Sequence, residues 1–354
     1  MLLSIITATQ NNEDLIDRAI QSVVAQTQTD WELIVVNDGS TDSTADHVAR
    51  WARQDARIQL INQTAAGVST SRNRALQAAS GDYVLFLDGD DWFELGAFAK
   101  LAPVLTAKTP DILIFNSYGA SSLTHHEASN SFSQEADWTA PEAVEQIARY
   151  CATQYGEAWP VWYGNLHTVW GRCYRRELIM TSAVVFDTTL TVAEDWKFNL
   201  ELFTKAKSVS IRDYYLYNYF DNDASIMHVH RWQGHANYIV SYLAIAAFLE
   251  QSNVGKALLP YVAVDQIRDE FRLIAQSRMG LFSGSSAVRA VSHTTECRLA
   301  VEAVAPPRLK RHDRLIRKLL QHHIASPIWG IFYYQERFRP MVSGVIHKII
   351  PRRG

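Results

Sequence analysis

The sequence predicts an α/β fold: a doubly covered, mostly parallel sheet with a helical C-terminal extension. Three observations carry this. Short apolar, β-branched runs recur through the first 93 residues, as strands buried on both faces require. Stretches with apolar residues at helical spacing separate them, so strand and helix alternate. From about residue 230 the strand pattern stops and helical periodicity continues to the end.

LLSIITA (2–8) reads as the first buried strand, stopped by polar residues. In NNEDLIDRAIQSVVAQT, Leu15, Ile16, Ala19, Ile20, Val23 and Val24 form one helical stripe, and Asn11 or Asn12 can cap it. WELIVVND (31–38) is a second strand, and STDSTADHVARWARQ a helix with Ser40 or Thr41 as N-cap. RIQLINQ (57–63), GVSTSRNRALQAAS and GDYVLFLDG supply a third strand, a helix and a fourth strand. PDILIFNSY (110–118) and KSVSIRDYYLYNYF (207–220) add strands, and APEAVEQIARYCATQ a surface helix. In such sheets ligands bind at the carboxyl ends of strands. Asp38 and the acids of 88–91 fall at that edge.

The composition is that of a globular chain: 354 residues, 47% hydrophobic and 20% charged. Charge is uneven: residues 308–354 hold 11 Lys/Arg against 2 Asp/Glu, and the rest 23 against 35. This implies an acidic body and a basic tail aimed at something anionic. Cys151, Cys173 and Cys297 show no CxxC or Cys/His spacing, which speaks against a disulfide framework or a zinc site and for a reducing cytosol. The N-terminus lacks the basic and apolar regions of a signal peptide. YIVSYLAIAAFLE (238–250) is interrupted by Ser241 and falls short of the ~20 apolar residues that span a bilayer.

FLDGDDWF (86–93) places Asp88, Asp90 and Asp91 within four positions after an apolar run. Two readings account for such crowding. The acids begin a helix near Phe93, where carboxylates complement the dipole, or a divalent cation relieves their repulsion and holds a diphosphate. Company at the same sheet edge favours the cation. In TLTVAEDWKFNLELF (189–203), Glu194 and Asp195 likewise open a half-buried helix. They serve either its dipole or chemistry.

SIITATQNNEDLIDRAIQSVVAQTQTDWELIVVNDGSTDST and GVSTSRNRALQAASGDYVLFLDGDDW together resemble the family 2 nucleotide-sugar glycosyltransferases of the GT-A fold. The resemblance runs from residue 2 to about 93 and resumes around 168–228. It implies a UDP-sugar donor, a Mn²⁺ or Mg²⁺ ion and inversion at the anomeric carbon. It also implies a catalytic domain over 1–228, with its nucleotide-binding half at about 1–118 and its acceptor half at about 119–228. A helical region would follow over 229–354.

By the same resemblance Asp38 accepts from the uracil ring, and Thr9 lines the base pocket. Gln10 departs from the family's aromatic there. Arg72 lies near base and diphosphate. Asp88 approaches ribose or metal, and Asp90 ligates the metal. Asp91 is a helix cap or supports the ligands from behind, and Trp92 packs beneath the turn. Asp195 is the base that takes the acceptor proton, with Glu194 orienting or replacing it. Trp170 and Trp196 meet the acceptor. His228 of NDASIMHVH completes the metal site, with His230 as its alternate. Arg172 stands where the family often has Lys.

RLKRHDRLIRKLLQHH (308–323) sets Leu309, Leu315, Ile316, Leu319 and Leu320 near one face among cations. This basic amphipathic tail suits peripheral contact with the cytoplasmic face of the inner membrane, or a cap on the catalytic domain. Nucleic acid is the weaker target, since no binding motif accompanies the charge. The acceptor expected is a glycan, free or lipid-linked, of a surface polysaccharide such as O-antigen, capsule or exopolysaccharide. Two rivals stand: a sugar-1-phosphate nucleotidyltransferase, against which TATQNNED offers neither glycine nor cation, and a non-catalytic sugar- or nucleotide-binding scaffold.

Overall fold

The computed structural model describes residues 1–122, 125–130, 135–139, 168–220 and 234–251. The chain divides into two compact units, Met1–Gln146 with Pro160–Asp223, and Ile147–Trp159 with Ala224–Gly354. The first unit opens with β1 (Leu3–Thr9), α1 (Ile16–Val24), β2 (Trp31–Asp38), α2 (Thr44–Gln54), β3 (Ile58–Gln63), α3 (Val68–Ala78) and β4 (Tyr83–Phe86). It continues with β5 (Trp92–Phe93), α4 (Ala97–Lys108), β6 (Ile112–Ser122), β7 (His125–Asn130) and β8 (Ala136–Thr139). β9 (Arg172–Arg175), α5 (Arg176–Ser182), α6 (Glu194–Lys205) and β10 (Ser208–Phe220) complete it. The second unit contributes α7 (Gly234–Leu249), in which Ser241, Ile245 and Leu249 share a buried face.

The strands form one sheet in the order β3-β2-β1-β4-β9-β6-β10-β5, with β7 on β6 and β8 on β10. The β1–β2, β1–β4, β2–β3 and β6–β10 pairs are parallel. β9 is inserted antiparallel between β4 and β6. Leu3, Ile5, Ile6 and Leu33–Val36 are at most 1% exposed. Both faces of the central strands are therefore covered, which explains their unbroken apolar runs. Full burial of each large side chain contributes roughly 1.5–3 kcal/mol.

Topology locates the crevice. The chain steps outward from β1 to β2 to β3, and α3 then returns it to the other side of β1, where β4 begins. A reversal of this kind opens a binding crevice beyond the strand ends. Thr9 ends β1, and Leu87–Asp91 follow β4 into the crevice.

An aromatic cluster fixes α6 against this edge. The Phe186 ring stacks on Phe198 of α6 at 4.1 Å between centroids, and Phe86 at the end of β4 meets Phe186 edge-on at 5.4 Å. Asn73 of α3 brackets the Phe186 backbone, donating to its carbonyl and accepting from its N–H, each at 2.8 Å. Glu194 and Asp195 are thereby delivered to the end of β4.

Several helix starts differ from expectation. α1 begins at Ile16 with Leu15 as N-cap, and α2 at Thr44 with Ser43 as N-cap, neither with a side-chain cap bond. The polar side chains expected to cap are spent between the two loops instead. Asn11 N–H donates to Ser40 Oγ, Thr41 N–H to Asn11 Oδ1 and Asn12 N–H to Thr44 Oγ1. The helix expected near Phe93 begins at Ala97, because Trp92–Phe93 pairs antiparallel with β10. The surface helix expected over 140–154, His228, His230 and the tail from 308 lie outside the described residues.

Candidate active site

LDGDDW folds as a tight turn in which Asp91 N–H donates to the Asp88 carbonyl at 3.1 Å. Asp91 is 1% exposed and points inward. Its Oδ2 accepts from Tyr217 Oη at 2.6 Å and its Oδ1 from Phe220 N–H at 2.8 Å. Tyr217 Oη in turn accepts from Asp88 N–H at 3.2 Å. Asp91 therefore fastens the turn to β10 and does not cap a helix. Burial, with Asp90 and Asp88 adding, pushes its carboxyl upward.

Arg18 of α1 grips the turn from the other side. Its guanidinium carbon sits 4.2 Å from the Trp92 ring centroid and 4.5 Å from that of Phe220, and it donates to the Asp90 carbonyl. Cation–π contact of this kind contributes about 1–2 kcal/mol when partly desolvated. Trp92 packs at the side of the turn, against this cation. Burial acts to lower Arg18, opposed by Asp91 and Asp90.

Arg72 is the hub. Only 5% exposed on α3, it reaches three carboxylates at once. Nη2 meets Asp88 Oδ1 at 3.1 Å, and Nη1 meets Glu194 Oε1 at 3.2 Å and Asp195 Oδ1 at 2.6 Å. Burial acts against the guanidinium, and the charges of Asp195, Asp88 and Glu194 outweigh it. Burial pushes the Asp195 carboxyl upward; Arg72 opposes this and Glu194 adds to it. Ala193, at φ 58°, occupies the left-handed region immediately before Glu194. Strain there is retained where the surroundings over-determine the backbone.

Asp90 stands beside Asp88 in the same turn. Its carboxyl is pushed up to about 6, first by burial and then by Asp88. A hard divalent cation suits such a pair, since Mg²⁺ and Mn²⁺ take one or two carboxylates together with phosphate oxygens and water. Among the described residues no group of three or more His, Cys, Asp and Glu could by itself hold a metal.

The other expected residues fall as follows. Asp38 is buried, and its carboxylate accepts from Gln63 Nε2, Ala66 N–H and Gly67 N–H, each at 2.8 Å. Three of its lone-pair positions are already used to hold the start of α3. Gln10 donates to the Asp38 carbonyl at 2.9 Å. Thr9 ends β1 with its hydroxyl buried. Trp170 and Trp196 are 6% and 4% exposed. The Trp170 ring stacks on Tyr217 at 5.1 Å, buttressing the residue that holds the acidic turn. Both tryptophans are therefore buried in the fold. Arg172, also buried, donates to the carbonyls of Thr168 and Trp170, bracing the turn before β9.

Arg18 and Tyr217 escape a sequence reading. Arg18 looks like an ordinary polar-face residue of α1. Tyr217 is one of four tyrosines in YYLYNYF, where only its register opposite Phe93 singles it out.

At the strand ends, one arginine thus ties the acids of the turn after β4 to a second acidic pair at the start of α6. Residues 4–174, just under half of the chain, match the model for glycosyl transferase family 2. Its relatives include the uncharacterized glycosyltransferase EpsJ of Bacillus subtilis, 34% identical over 64% of this chain and 63% of that protein. The chain thus spans somewhat under two thirds of EpsJ. A 91-residue stretch is 44% identical to the Escherichia coli UDP-Glc:alpha-D-GlcNAc-diphosphoundecaprenol beta-1,3-glucosyltransferase WfgD, covering 25% of this chain and 35% of that one. Among solved structures, S. aureus TarS 1-349 in complex with UDP superposes with a TM-score of 0.65 at 18% identity, covering 96% of this chain and 92% of TarS. That likeness is one of fold.

Proposed function

We infer that the protein is an inverting glycosyltransferase of cell-surface polysaccharide synthesis. It moves a hexose or N-acetylhexosamine from a UDP-sugar to a glycan acceptor carried on lipid. The observation that carries this reading is the Arg72 guanidinium bound at once to Asp88 and to Glu194 and Asp195. One side chain therefore spans the donor acids and the candidate base. UDP in TarS and the UDP-glucose and diphosphoundecaprenol in the name of WfgD support this choice of donor and acceptor.

In this reading residues 1–118 hold the nucleotide, and residues 119–228 meet the acceptor. Asp88 and Asp90 would hold Mn²⁺ or Mg²⁺, which when bound would supply positive charge to the departing diphosphate. Asp195 accepts the proton of the acceptor hydroxyl as that oxygen bonds to C1. The bond from C1 to the diphosphate oxygen breaks with its electron pair leaving on UDP, so configuration inverts. Arg72 opposes the upward push of burial on Asp195 and orients it for this transfer. The basic segment 308–354 supports contact with anionic lipid on the cytoplasmic face of the inner membrane.

The experiment is a UDP-release assay with Mn²⁺ across UDP-sugars and lipid-linked acceptors. One donor–acceptor pair should turn over, and Asp195→Asn should lower its kcat by about 10²–10⁴ while UDP binding persists. Undiminished UDP release by Asp195→Asn removes Asp195 as the base. Failure of every UDP-sugar to bind removes the donor assignment.

A further inference from the structure

The loops that follow β1 and β4 meet at Gly89. A Cβ placed there would lie 2.7 Å from Asn12 Nδ2 and 2.9 Å from Thr9 Oγ1, so both side chains crowd against the turn between Asp88 and Asp90. Among the described residues the two polar atoms facing it have no hydrogen-bond partner. Thr9 is 5% exposed, yet its hydroxyl makes no hydrogen bond. Asn12 uses its backbone fully: its N–H donates to Thr44 Oγ1 at 2.7 Å, and its carbonyl accepts from Leu15 and Ile16. Among the described residues its side-chain amide bonds to nothing. Buried polar groups are nearly always paired; the Thr9 hydroxyl is an exception to this, and the partly exposed Asn12 amide stands next to it.

The chemistry of the surroundings indicates which ligand. Both orphan groups can donate a hydrogen. The cations nearby are committed, Arg72 to three carboxylates and Arg18 to the Asp90 carbonyl. An anionic chain entering this acidic rim needs neutral donors. We propose that the Asn12 amide, beside the Thr9 hydroxyl, donates a hydrogen bond to an anionic oxygen of the nucleoside diphosphate lying along the Asp88–Asp91 turn. This rests on the donor assignment above and adds to it a binding residue from the first loop.

Calorimetry of the full chain with UDP and Mn²⁺, beside unliganded melting, tests it. The parent binds UDP; Asn12→Ala binds about tenfold more weakly, the loss expected of one hydrogen bond to a charged group. Asn12→Asp, isosteric but anionic, binds more weakly still. Unliganded Asn12→Ala melts within about 2 °C of the parent, since its amide holds nothing in the protein. UDP affinity equal to the parent's in both variants overturns the proposal, as does an unliganded melting loss of more than about 5 °C in Asn12→Ala. Absence of UDP binding by the parent overturns the donor assignment itself, which keeps the two failures distinct.

Discussion

Arg72 Nη1 lies 2.6 Å from Asp195 Oδ1, a contact between residues 123 positions apart. The same guanidinium reaches Asp88, 16 positions away, at 3.1 Å. Helix α3 therefore crosslinks the end of β4 to the start of α6. Fold and site depend on one buried cation, because no hydrophobic contact can replace the charge that three neighbouring carboxylates require.

Removal of that cation is severe. Arg72→Ala leaves three acids facing one another in a largely buried crevice and should cost about 3–5 kcal/mol, the range for a broken buried pair. Arg72→Lys keeps a charge but lacks the planar fork needed to meet acids on two sides. It should lose about half as much. Urea unfolding of both variants checks the order. Arg72→Ala as stable as the parent would mean that the acids are compensated elsewhere.

Tyr217→Phe deletes the hydroxyl that links Asp88 N–H to Asp91 Oδ2. It should cost about 2 kcal/mol, since Asp91 is left buried with one bond fewer. Combined with Asp91→Asn the losses should fall short of additive by about 1 kcal/mol or more, as for residues in one network. Strict additivity in a double-mutant cycle would contradict the network.

Much of this architecture is legible in the sequence, for physical reasons. Continuous runs such as LIVV mark strands buried on both faces, and the stripe of Ile16, Ala19, Ile20 and Val23 marks α1. The acids at Asp88, Asp90, Glu194 and Asp195 stand out because like charges cluster at the start of an element or directly after an apolar run. Their convergence on Arg72 is not legible, since it depends on α6 docking through Phe186 and Phe198 from more than 100 residues away. The inward turn of Asp91 is equally hidden. Strand alternation does not continue through a turn, and the partners of Asp91 lie on β10. Capping residues are misread for a related reason: local rules ignore a neighbouring loop that competes for the same side chains.

At the opposite edge of the sheet, Glu32 gathers four donors on Oε1: Ser4 Oγ at 2.6 Å, Ser80 N–H at 2.7 Å, Ser80 Oγ at 2.9 Å and Gly81 N–H at 3.2 Å. Burial acts to raise its carboxyl, and these bonds outweigh it, so the folded value lies below the ordinary 4.5. A depressed acid stabilises the fold above its unfolded value, and that contribution is lost as pH falls through the folded one. Glu32→Gln should therefore be less stable than the parent by about 2 kcal/mol at pH 7, with the gap closing below about pH 4. A gap constant from pH 7 to pH 3 in parallel unfolding titrations would assign the effect to packing.

Asp90→Asn should separate function from stability in opposite directions. The Asp90 carboxylate stands beside Asp88 with burial against it, and the nearby Arg18 donates to the Asp90 backbone carbonyl. A neutral amide relieves that crowding. The unliganded variant should then be more stable than the parent by about 1 kcal/mol, a modest figure because solvent reaches part of the side chain. With UDP present, Mn²⁺ affinity read by calorimetry should fall more than about tenfold, since a hard cation loses one of two anionic oxygens. Stability gained together with metal affinity lost is the pattern of an acid retained for its ligand. If Asp90→Asn instead destabilises the unliganded protein and binds Mn²⁺ as before, Asp90 serves the fold, and the cation must be held by other oxygens.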